Sequence, residues 1–234
     1  MQNLDSRLST ALKYLRKGKK LADVGTDHAY LPIYAVSNGY SSRAVASDIN
    51  KGPTERARIN VSMCSFPDRI TVLQTDGLKG IEVFDPDDIA IFGMGGELIA
   101  SIIASSPWAG AKGKRLILQP MTNADTLRLY LAENGFAIIG ETLSEDCGKL
   151  YVTICCEGGG EKYSLSLAEA ILGKYNIENE ISSPLFRELL RRAENAYNVR
   201  LEGKKAGQKD YSFEIQVLSE LAEIRKESNK YEGF

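Results

Sequence analysis

Two carboxylates and a single glycine lie close together in the stretch from Leu21 to Pro32. An apolar run ends at Asp23, Gly25 follows where a turn is expected, and Asp27 precedes a predicted helix that opens near Tyr30. This order is typical of the strand, loop and helix that hold a nucleotide. The second glycine with which a dinucleotide-binding loop approaches pyrophosphate is missing, and two carboxylates would repel a diphosphate. The stretch therefore favours a ligand with cationic groups, such as a sulfonium and an ammonium, over the alternative in which both acids only cap the turn and the helix.

Acids also follow the next two predicted strands. Asp48 closes the strand from Arg43 to Ser47, and the pair Asp76-Gly77 follows the strand from Ile70 to Gln74. In nucleoside-binding sandwiches, a carboxylate at the end of the second strand accepts hydrogen bonds from ribose hydroxyls. The Asp76-Gly77 pair suits a contact with the edge of an adenine. A helix cap at Asp48 and a plain turn at Asp76 remain the alternatives.

Three glycines in four residues follow the fourth predicted strand. The strand from Asp88 to Phe92 runs into Gly93-Met94-Gly95-Gly96, and a helix is predicted from Glu97 to Ser105. Glycines at the carboxyl end of a central strand indicate that something comes close to the backbone there. Ligands of open sheets bind at those carboxyl ends. The alternative is a helix N-terminus packed tightly on the sheet.

The order of the predicted elements places these residues in one fold. Five strands alternate with helices, and two further strands, Phe136 to Leu143 and Lys149 to Glu157, lie too close in sequence for a crossover helix and should pair antiparallel. The predicted fold class is α/β, a Rossmann-like sandwich whose parallel sheet is finished by an antiparallel hairpin. Gly158-Gly159-Gly160 marks a domain boundary, so we expect domains at 1–158 and 159–234. Two apolar stripes in the second domain predict a helical, coiled-coil-like hairpin with a loop from Glu202 to Asp210.

The composition excludes several classes of protein. The 234 residues are 43% hydrophobic, and the net charge of −2 argues against an overall electrostatic grip on nucleic acid. The N-terminal residues are polar and mixed, and no apolar run reaches the roughly 20 residues of a membrane span, so we expect a cytoplasmic protein. Four cysteines without metal-ligand spacing and one histidine argue against a metal site. The sequence leaves the oligomeric state open and slightly favours a monomer.

Basic residues cluster in two places despite the acidic balance. The first twenty residues place apolar side chains at helical spacing and fill the remaining positions with lysine and arginine, and the second domain carries more basic residues on its first long helix and in the predicted loop. The candidates for phosphate contacts are Lys13, Arg16, Lys17, Lys19, Arg191, Lys204 and Lys205. A solvated face, or in the second domain a dimer contact, is the alternative.

A resemblance to a known family rests on three runs of residues. They are Asp23-Val24-Gly25-Thr26-Asp27-His28-Ala29-Tyr30-Leu31-Pro32, Gly93-Met94-Gly95-Gly96 and Gly148-Lys149-Leu150-Tyr151. Together they resemble the bacterial tRNA N1-adenine methyltransferase family that modifies adenosine 22, closely up to Glu157 and more loosely in the helical tail. The resemblance implies a class I methyltransferase domain that binds S-adenosylmethionine, followed by a helical domain that helps to hold tRNA. The cofactor residues so implied are Asp23, Gly25, Thr26, Asp27, His28, Asp48, Ile49, Asp76, Gly77 and Gly93, and the reaction centre is Asp27, His28, Met94, Gly95 and Gly96.

The chemistry of such a reaction predicts a role for each residue of the centre. Adenine N1 carries a free lone pair at neutral pH, so positioning matters more than a strong base. Positive charge develops on the ring as the methyl group arrives, and the Asp27 carboxylate beside the amino group would stabilise that charge or accept a proton. His28 would hydrogen-bond the base or orient Asp27. Met94 would pack on the base, and Gly95 and Gly96 would leave room for a flipped-out adenine.

Three other functions remain compatible with the sequence. One is another S-adenosylmethionine-dependent methyltransferase that acts on rRNA or a small molecule. A dinucleotide-dependent oxidoreductase is disfavoured by the missing second glycine and by Asp27. A cofactor-sensing RNA-binding module without catalysis differs from an enzyme only in turnover.

Overall fold

The computed structural model describes residues 4–231, and the contacts of the chain divide it into two units, Met1–Tyr163 and Ser164–Phe234. The division falls later than the glycine run at Gly158. Gly160 donates its backbone N–H to Gly135 O at 2.9 Å, and the Tyr163 hydroxyl donates to Phe136 O at 3.1 Å. These two bonds hold the residues after the glycine run on the first unit.

The first unit is a seven-stranded sheet with helices between the strands. The strands are β1 Lys19–Val24, β2 Ser41–Asp48, β3 Ile70–Gln74, β4 Asp88–Gly95, β5 Arg115–Thr122, β6 Ala137–Asp146 and β7 Lys149–Glu157. The helices are α1 Ser6–Ser9, α2 Tyr30–Ser37, α3 Lys51–Ser62, α4 Gly96–Ala104 and α5 Ala124–Glu133, with short 3-10 segments at Thr10–Lys13, Pro67–Arg69, Glu82–Phe84 and Pro107–Gly110.

The strand order confirms the predicted fold class. The order across the sheet is β3-β2-β1-β4-β5-β7-β6, with parallel pairs from β3 through β5 and antiparallel pairs of β7 with β5 and β6. The direction of winding reverses between β1 and β4, and the carboxyl ends at such a switch point form a crevice. The topology therefore places the ends of β1 and β4 where a ligand binds.

Burial explains which strands are central. In β4, Ile89, Ala90 and Ile91 are fully buried, as expected of a parallel strand covered on both faces.

The last two strands are joined by Cys147 and Gly148, both at positive φ, which is the backbone of a tight hairpin turn.

The N-terminal segment differs from the single basic helix that the spacing predicts. The helix α1 spans only Ser6–Ser9, a 3-10 turn follows, and Lys19 already belongs to β1. Arg16 lies between these elements and donates its backbone N–H and its Nε to the buried carboxylate of Asp88, at 2.8 and 2.7 Å. Its Nη atoms donate to Gly113 O and Asp87 O. Every nitrogen of the Arg16 guanidinium thus donates to Asp88, to Asp87 O or to Gly113 O, and the predicted phosphate contact of Arg16 would require it to exchange one of these partners.

The second unit is helical, with α6 Leu167–Leu172, α7 Lys174–Glu180, α8 Pro184–Ala206 and α9 Ser212–Asn229. The two long helices run antiparallel, because Glu194 pairs with Arg225 while Lys204 pairs with Glu214. Their predicted apolar stripes face inwards, with Phe186, Leu190, Tyr197, Val217 and Leu221 buried. The predicted loop is shorter than expected, since α8 continues through Ala206 and carries Lys204 and Lys205 in its last turn, where cations suit the helix dipole.

Candidate active site

Gly25 forms the turn that closes β1. Its φ is +79°, and the backbone N–H groups of Gly25 and Thr26 both donate to Ser47 O at 2.8 Å, which fixes the turn against β2. A Cβ at Gly25 would lie 2.2 Å from the methyl carbon of Met94. The Met94 end can move aside, so the left-handed backbone is the stronger reason for a glycine here.

Asp23 is a buried carboxylate at the end of β1, only 6% exposed. Burial raises its pKa from 3.8 to about 6, while the hydroxyl of Thr26 and the charge of Arg7 partly offset that effect. It lines a cavity of about 270 Å³ together with Arg7, Gly25 and Thr26. A buried carboxylate whose charge is poorly compensated is a site where a ligand cation gains free energy on binding.

Thr26 supports Asp23 from the turn itself. The Thr26 hydroxyl bonds to the Asp23 side chain, and its Oγ1 accepts the Ala29 N–H at 3.1 Å. The side chain is 4% exposed. The predicted cofactor residue Thr26 therefore acts on the backbone and on Asp23, from a position inside the protein.

A second cavity, of about 300 Å³, lies at the ends of β2 and β3. It brings together four of the predicted cofactor residues: Asp48, Ile49, Asp76 and Gly77. Asp76 has a partner that the sequence did not suggest, since its Oδ2 lies 2.6 Å from Lys79 Nζ. Exposed ion pairs of this kind contribute little, so a ligand can take the place of the lysine. Ile49 and Leu98 add exposed apolar side chains to the same cavity.

The two cavities adjoin each other. Gly25, Phe92 and Gly93 line both. Gly93 is exposed there at φ +78°, and its N–H donates to Gln119 Oε1 at 3.1 Å. One extended ligand can thus have its polar end beside Asp23 and its nucleoside end beside Asp48.

The rest of the second motif spans the end of β4 and the start of α4. The strand β4 continues through Gly95 with register shifts beside Met94, and Gly96 opens α4. A Cβ at Gly96 would lie 2.1 Å from Asn123 O, so this glycine permits close packing between α4 and the chain after β5. Met94 points towards Gly25 and lines the Asp48 cavity. Gly96 thus has a packing reason of its own, beside the predicted role of admitting a base, and the predicted packing of Met94 on that base stays a prediction.

Asp27 lies on the other side of the turn, with its side chain 58% exposed. Arg56 on α3 donates to Asp27 Oδ1 from Nε at 3.1 Å and also from Nη2. The Nε2 atom of His28 lies 3.3 Å from Asp27 Oδ2. The carboxylate is thus oriented from two sides at the mouth of the Asp23 cavity.

Three polar residues of the site were missed by sequence reasoning, namely Arg7, Arg56 and Gln119. Arg7 Nη1 donates to Gln119 Oε1 at 3.3 Å, and Arg7 lines the Asp23 cavity. Gln119 is fully buried within β5. Of the three, only Gln119 could have been predicted as a site residue, from its position directly after a predicted strand. Arg7 and Arg56 come from a segment and a helix that tertiary packing brings to the cavity.

Comparisons with known proteins identify the family. Residues 4–154 match a family described as a methyltransferase domain. The chain is 40% identical over 156 residues to a tRNA (adenine(22)-N(1))-methyltransferase of Bacillus subtilis, in an alignment that spans 67% of this chain and 66% of that protein. The crystal structure of the B. subtilis M1A22 tRNA methyltransferase TrmK is 33% identical with a TM-score of 0.81, over 97% of this chain and 99% of that one.

The chain belongs to the tRNA (adenine(22)-N1)-methyltransferase family. This confirms the predicted resemblance. Another similar structure is that of Streptococcus pneumoniae Sp1610 in complex with S-adenosyl-L-methionine, 32% identical with a TM-score of 0.82, over 94% of this chain and 99% of that one.

The side chains predicted to contact RNA phosphates, Arg16 apart, lie in two sets in the structure. Lys13, Lys17 and Lys19 are exposed on the first unit, with Lys19 Nζ 3.2 Å from Asp87. The other three predicted contacts lie on α8 and are paired with acids: Arg191 with Glu188, Lys204 with Glu214 and Lys205 with Glu202, at 2.7, 2.8 and 2.9 Å. Arg191 and Arg192 lower the pKa of Glu188 to about 2.

Two further observations concern membrane-spanning helices and clusters of metal ligands in the described part of the chain. Among residues 4–231, no helix is both long and apolar enough to cross a bilayer. In the same part of the chain, no group of three or more His, Cys, Asp or Glu side chains is arranged to hold a metal ion.

Proposed function

We propose that the protein binds S-adenosylmethionine along the ends of β1, β2 and β3 and transfers its methyl group to N1 of adenosine 22 in tRNA. The observation that carries this proposal is the buried Asp23 carboxylate in a cavity that adjoins the cavity of Asp48 and Asp76. Family membership supports the reaction and its substrate. Because the substrate is tRNA, we place the reaction in the cytoplasm.

The two cavities fit the chemistry of this cofactor. Asp23 would accept hydrogen bonds from the ammonium group, which would compensate its buried charge. Arg7, in the same cavity, would pair with the cofactor carboxylate. Asp48 would bind the ribose hydroxyls, and Asp76 with Ile49 would hold the adenine of the cofactor. When bound, S-adenosylmethionine supplies a methyl group on a sulfonium.

Asp27 is the group that acts on the acceptor base. The N1 lone pair of the acceptor adenine needs no base, and the ring gains positive charge as the N1–methyl bond forms. The Asp27 carboxylate, exposed at the cavity mouth, would face the amino group of that ring and stabilise the charge. Arg56 and His28 hold the carboxylate in place, and an exposed pair such as Asp27 with Arg56 costs little to rearrange.

The exposed lysines of the first unit are the proposed phosphate contacts closest in sequence to the cofactor turn. Lys13, Lys17 and Lys19 can contact RNA without first breaking an ion pair with a buried acid. Arg191, Lys204 and Lys205 on α8 would have to exchange an acid for a phosphate. We propose that both sets contact tRNA and that the first contributes more.

Methyl transfer from labelled S-adenosylmethionine to two unmodified tRNA transcripts tests this function. The transcripts differ only in carrying adenosine or guanosine at position 22. Incorporation into the adenosine transcript alone is the expected result. Equal incorporation into both would place the reaction at another site, and incorporation into neither, with the cofactor bound, would direct the proposal to another RNA or a small molecule.

A further inference from the structure

His28 and Tyr30 form a stacked aromatic pair in the wall of the Asp23 cavity. Their ring centroids are 4.9 Å apart and the ring planes differ by 7°. Both residues line the cavity together with Asp27 and Gly93. Both rings are partly exposed, so the stack presents aromatic surface to the cavity.

The backbone between the two rings is held in an unusual conformation. Ala29 adopts the left-handed region, with φ 55° and ψ 27°, which a residue with a side chain adopts at a cost. Two hydrogen bonds hold it there, from Ala29 N–H to Thr26 Oγ1 at 3.1 Å and from Asn60 Nδ2 to His28 O at 2.9 Å. Strained backbone that the surroundings maintain is found preferentially at functional sites. Here the strained residue separates the two rings of the stack.

Other aromatic groups at the site offer no comparable surface. Among the described residues that line the two cavities, the only further aromatic side chain is Phe92, which is 6% exposed. A nucleobase removed from its helix needs a flat partner to replace the lost stacking. The stack lies next to Asp27, the carboxylate proposed to face the amino group of the acceptor base.

We propose that the His28–Tyr30 stack is the platform on which the acceptor adenine lies during methyl transfer, with Tyr30 as a residue that positions the base. This proposal rests on the proposed function. It gives the base two constraints, a flat surface against the ring and a carboxylate at the ring edge. Together they fix the direction in which N1 points.

A purely structural role for the same pair predicts a different behaviour. If Tyr30 only packs the start of α2, its removal lowers stability and affects binding of every RNA equally. If it touches the acceptor base, its removal matters only for an RNA that carries that base. A cycle that combines a change in the protein with a change in the RNA separates the two roles.

The test measures binding of tRNA transcripts in the presence of S-adenosylhomocysteine, which carries no methyl group to transfer. The proteins are wild type, Tyr30→Leu, Tyr30→Phe and the control Tyr34→Leu. The control removes a tyrosine from the same helix, and the ring of this Tyr34 packs on Tyr40. The transcripts carry an adenosine or an abasic residue at position 22. Cofactor binding by calorimetry reports whether each variant is folded, and methyl transfer by wild type on the intact transcript reports on the function itself.

Tyr30→Leu and the abasic residue are expected to remove the same interaction, so their effects on binding affinity should not add. Stacking of one base predicts that Tyr30→Leu weakens binding of the intact transcript by about 5- to 150-fold, and that the abasic transcript binds both proteins equally weakly. Tyr30→Phe and Tyr34→Leu retain the affinity of wild type. Independent, additive losses for Tyr30→Leu and the abasic residue would overturn the platform while the proposed function stands. A wild-type protein that does not methylate the intact transcript would overturn both.

Discussion

Replacing Asp23 with asparagine should stabilise the protein and at the same time weaken its cofactor binding. The side chain is 6% exposed, and burial raises its pKa from 3.8 to about 6. A rise of that size corresponds to roughly 3 kcal/mol of unfavourable free energy for the ionised carboxylate in the folded state. Asparagine has nearly the same shape and still accepts a hydrogen bond from Thr26, but it carries no charge.

The sign of the effect follows from proton binding. Between pH 3.8 and about 6 the folded protein keeps the Asp23 proton that the unfolded chain has lost, so the contribution of Asp23 to stability falls as the pH rises through this window. Below the window the wild type and Asp23→Asn should be equally stable. Above it, the variant should be more stable by up to roughly 3 kcal/mol.

Cofactor binding should change in the opposite direction. Loss of a charge-assisted hydrogen bond to the ammonium group costs about 1.5–3 kcal/mol, or about 10- to 150-fold in affinity. Because only the ionised carboxylate attracts the ammonium group, the affinity of the wild type should fall by up to about tenfold for each pH unit below 6. The affinity of Asp23→Asn should not depend on pH in that range.

Urea unfolding and calorimetric titration with S-adenosylmethionine at pH 4.5, 6 and 8 measure both effects. Asp68→Asn is the matched control, because Asp68 is exposed and the change in charge is the same. The reasoning is refuted if the difference in stability between wild type and Asp23→Asn is independent of pH. It is refuted equally if Asp23→Asn binds the cofactor as tightly as the wild type.

Four further predictions concern the acceptor side, the packing of the second motif and the RNA. Asp27→Asn should reduce turnover of the tRNA transcript strongly and leave the calorimetric affinity for S-adenosylmethionine nearly unchanged, and unchanged turnover would remove Asp27 from the mechanism. Gly96→Ala should lower the free energy of unfolding by about 1–3 kcal/mol, because its Cβ would meet Asn123 O. The control Gly203→Ala lies in open space on α8 and should raise the free energy of unfolding by up to about 1 kcal/mol. Equal effects of the two substitutions in thermal melts would contradict the packing role of Gly96. Filter binding over a range of salt should give a shallow slope that corresponds to about three to five phosphate contacts, and a slope for ten would be incompatible with our assignment of the basic residues. A chain ending at Tyr163 should bind the cofactor and fail to methylate tRNA, and full activity of that fragment would make the helical unit dispensable.

Local patterns were sufficient to predict the sheet. The strands Ile70–Gln74 and Lys149–Glu157 have the predicted bounds, since apolar runs bounded by turn residues are a local signal. The acids Asp23, Asp48 and Asp76 were predicted as a group because each lies at or just after the end of a strand, and the fold brings the ends of parallel strands to one edge.

The other features of the site depend on contacts between distant parts of the chain. Nothing near Arg16 indicates that it neutralises Asp88, and nothing near Arg56 indicates its pairing with Asp27. The glycine motif allowed two reasons for its glycines, the approach of a ligand or close packing, and the 2.1 Å distance from a Cβ at Gly96 to Asn123 O is a packing reason that the sequence alone could not show. Periodicity could not show that α8 extends through Lys204 and Lys205, because glycine and lysine are also common in loops.

The most direct test of the central claim is the identity and position of the methylated nucleoside. A tRNA transcript is incubated with the protein and S-adenosylmethionine, digested with a base-specific nuclease, and its fragments and nucleosides are analysed by mass spectrometry. The account predicts N1-methyladenosine in the fragment that contains position 22 and in no other. A methyl group on the exocyclic amino group, or on any other nucleotide, would contradict the assignment of the site and of its mechanism.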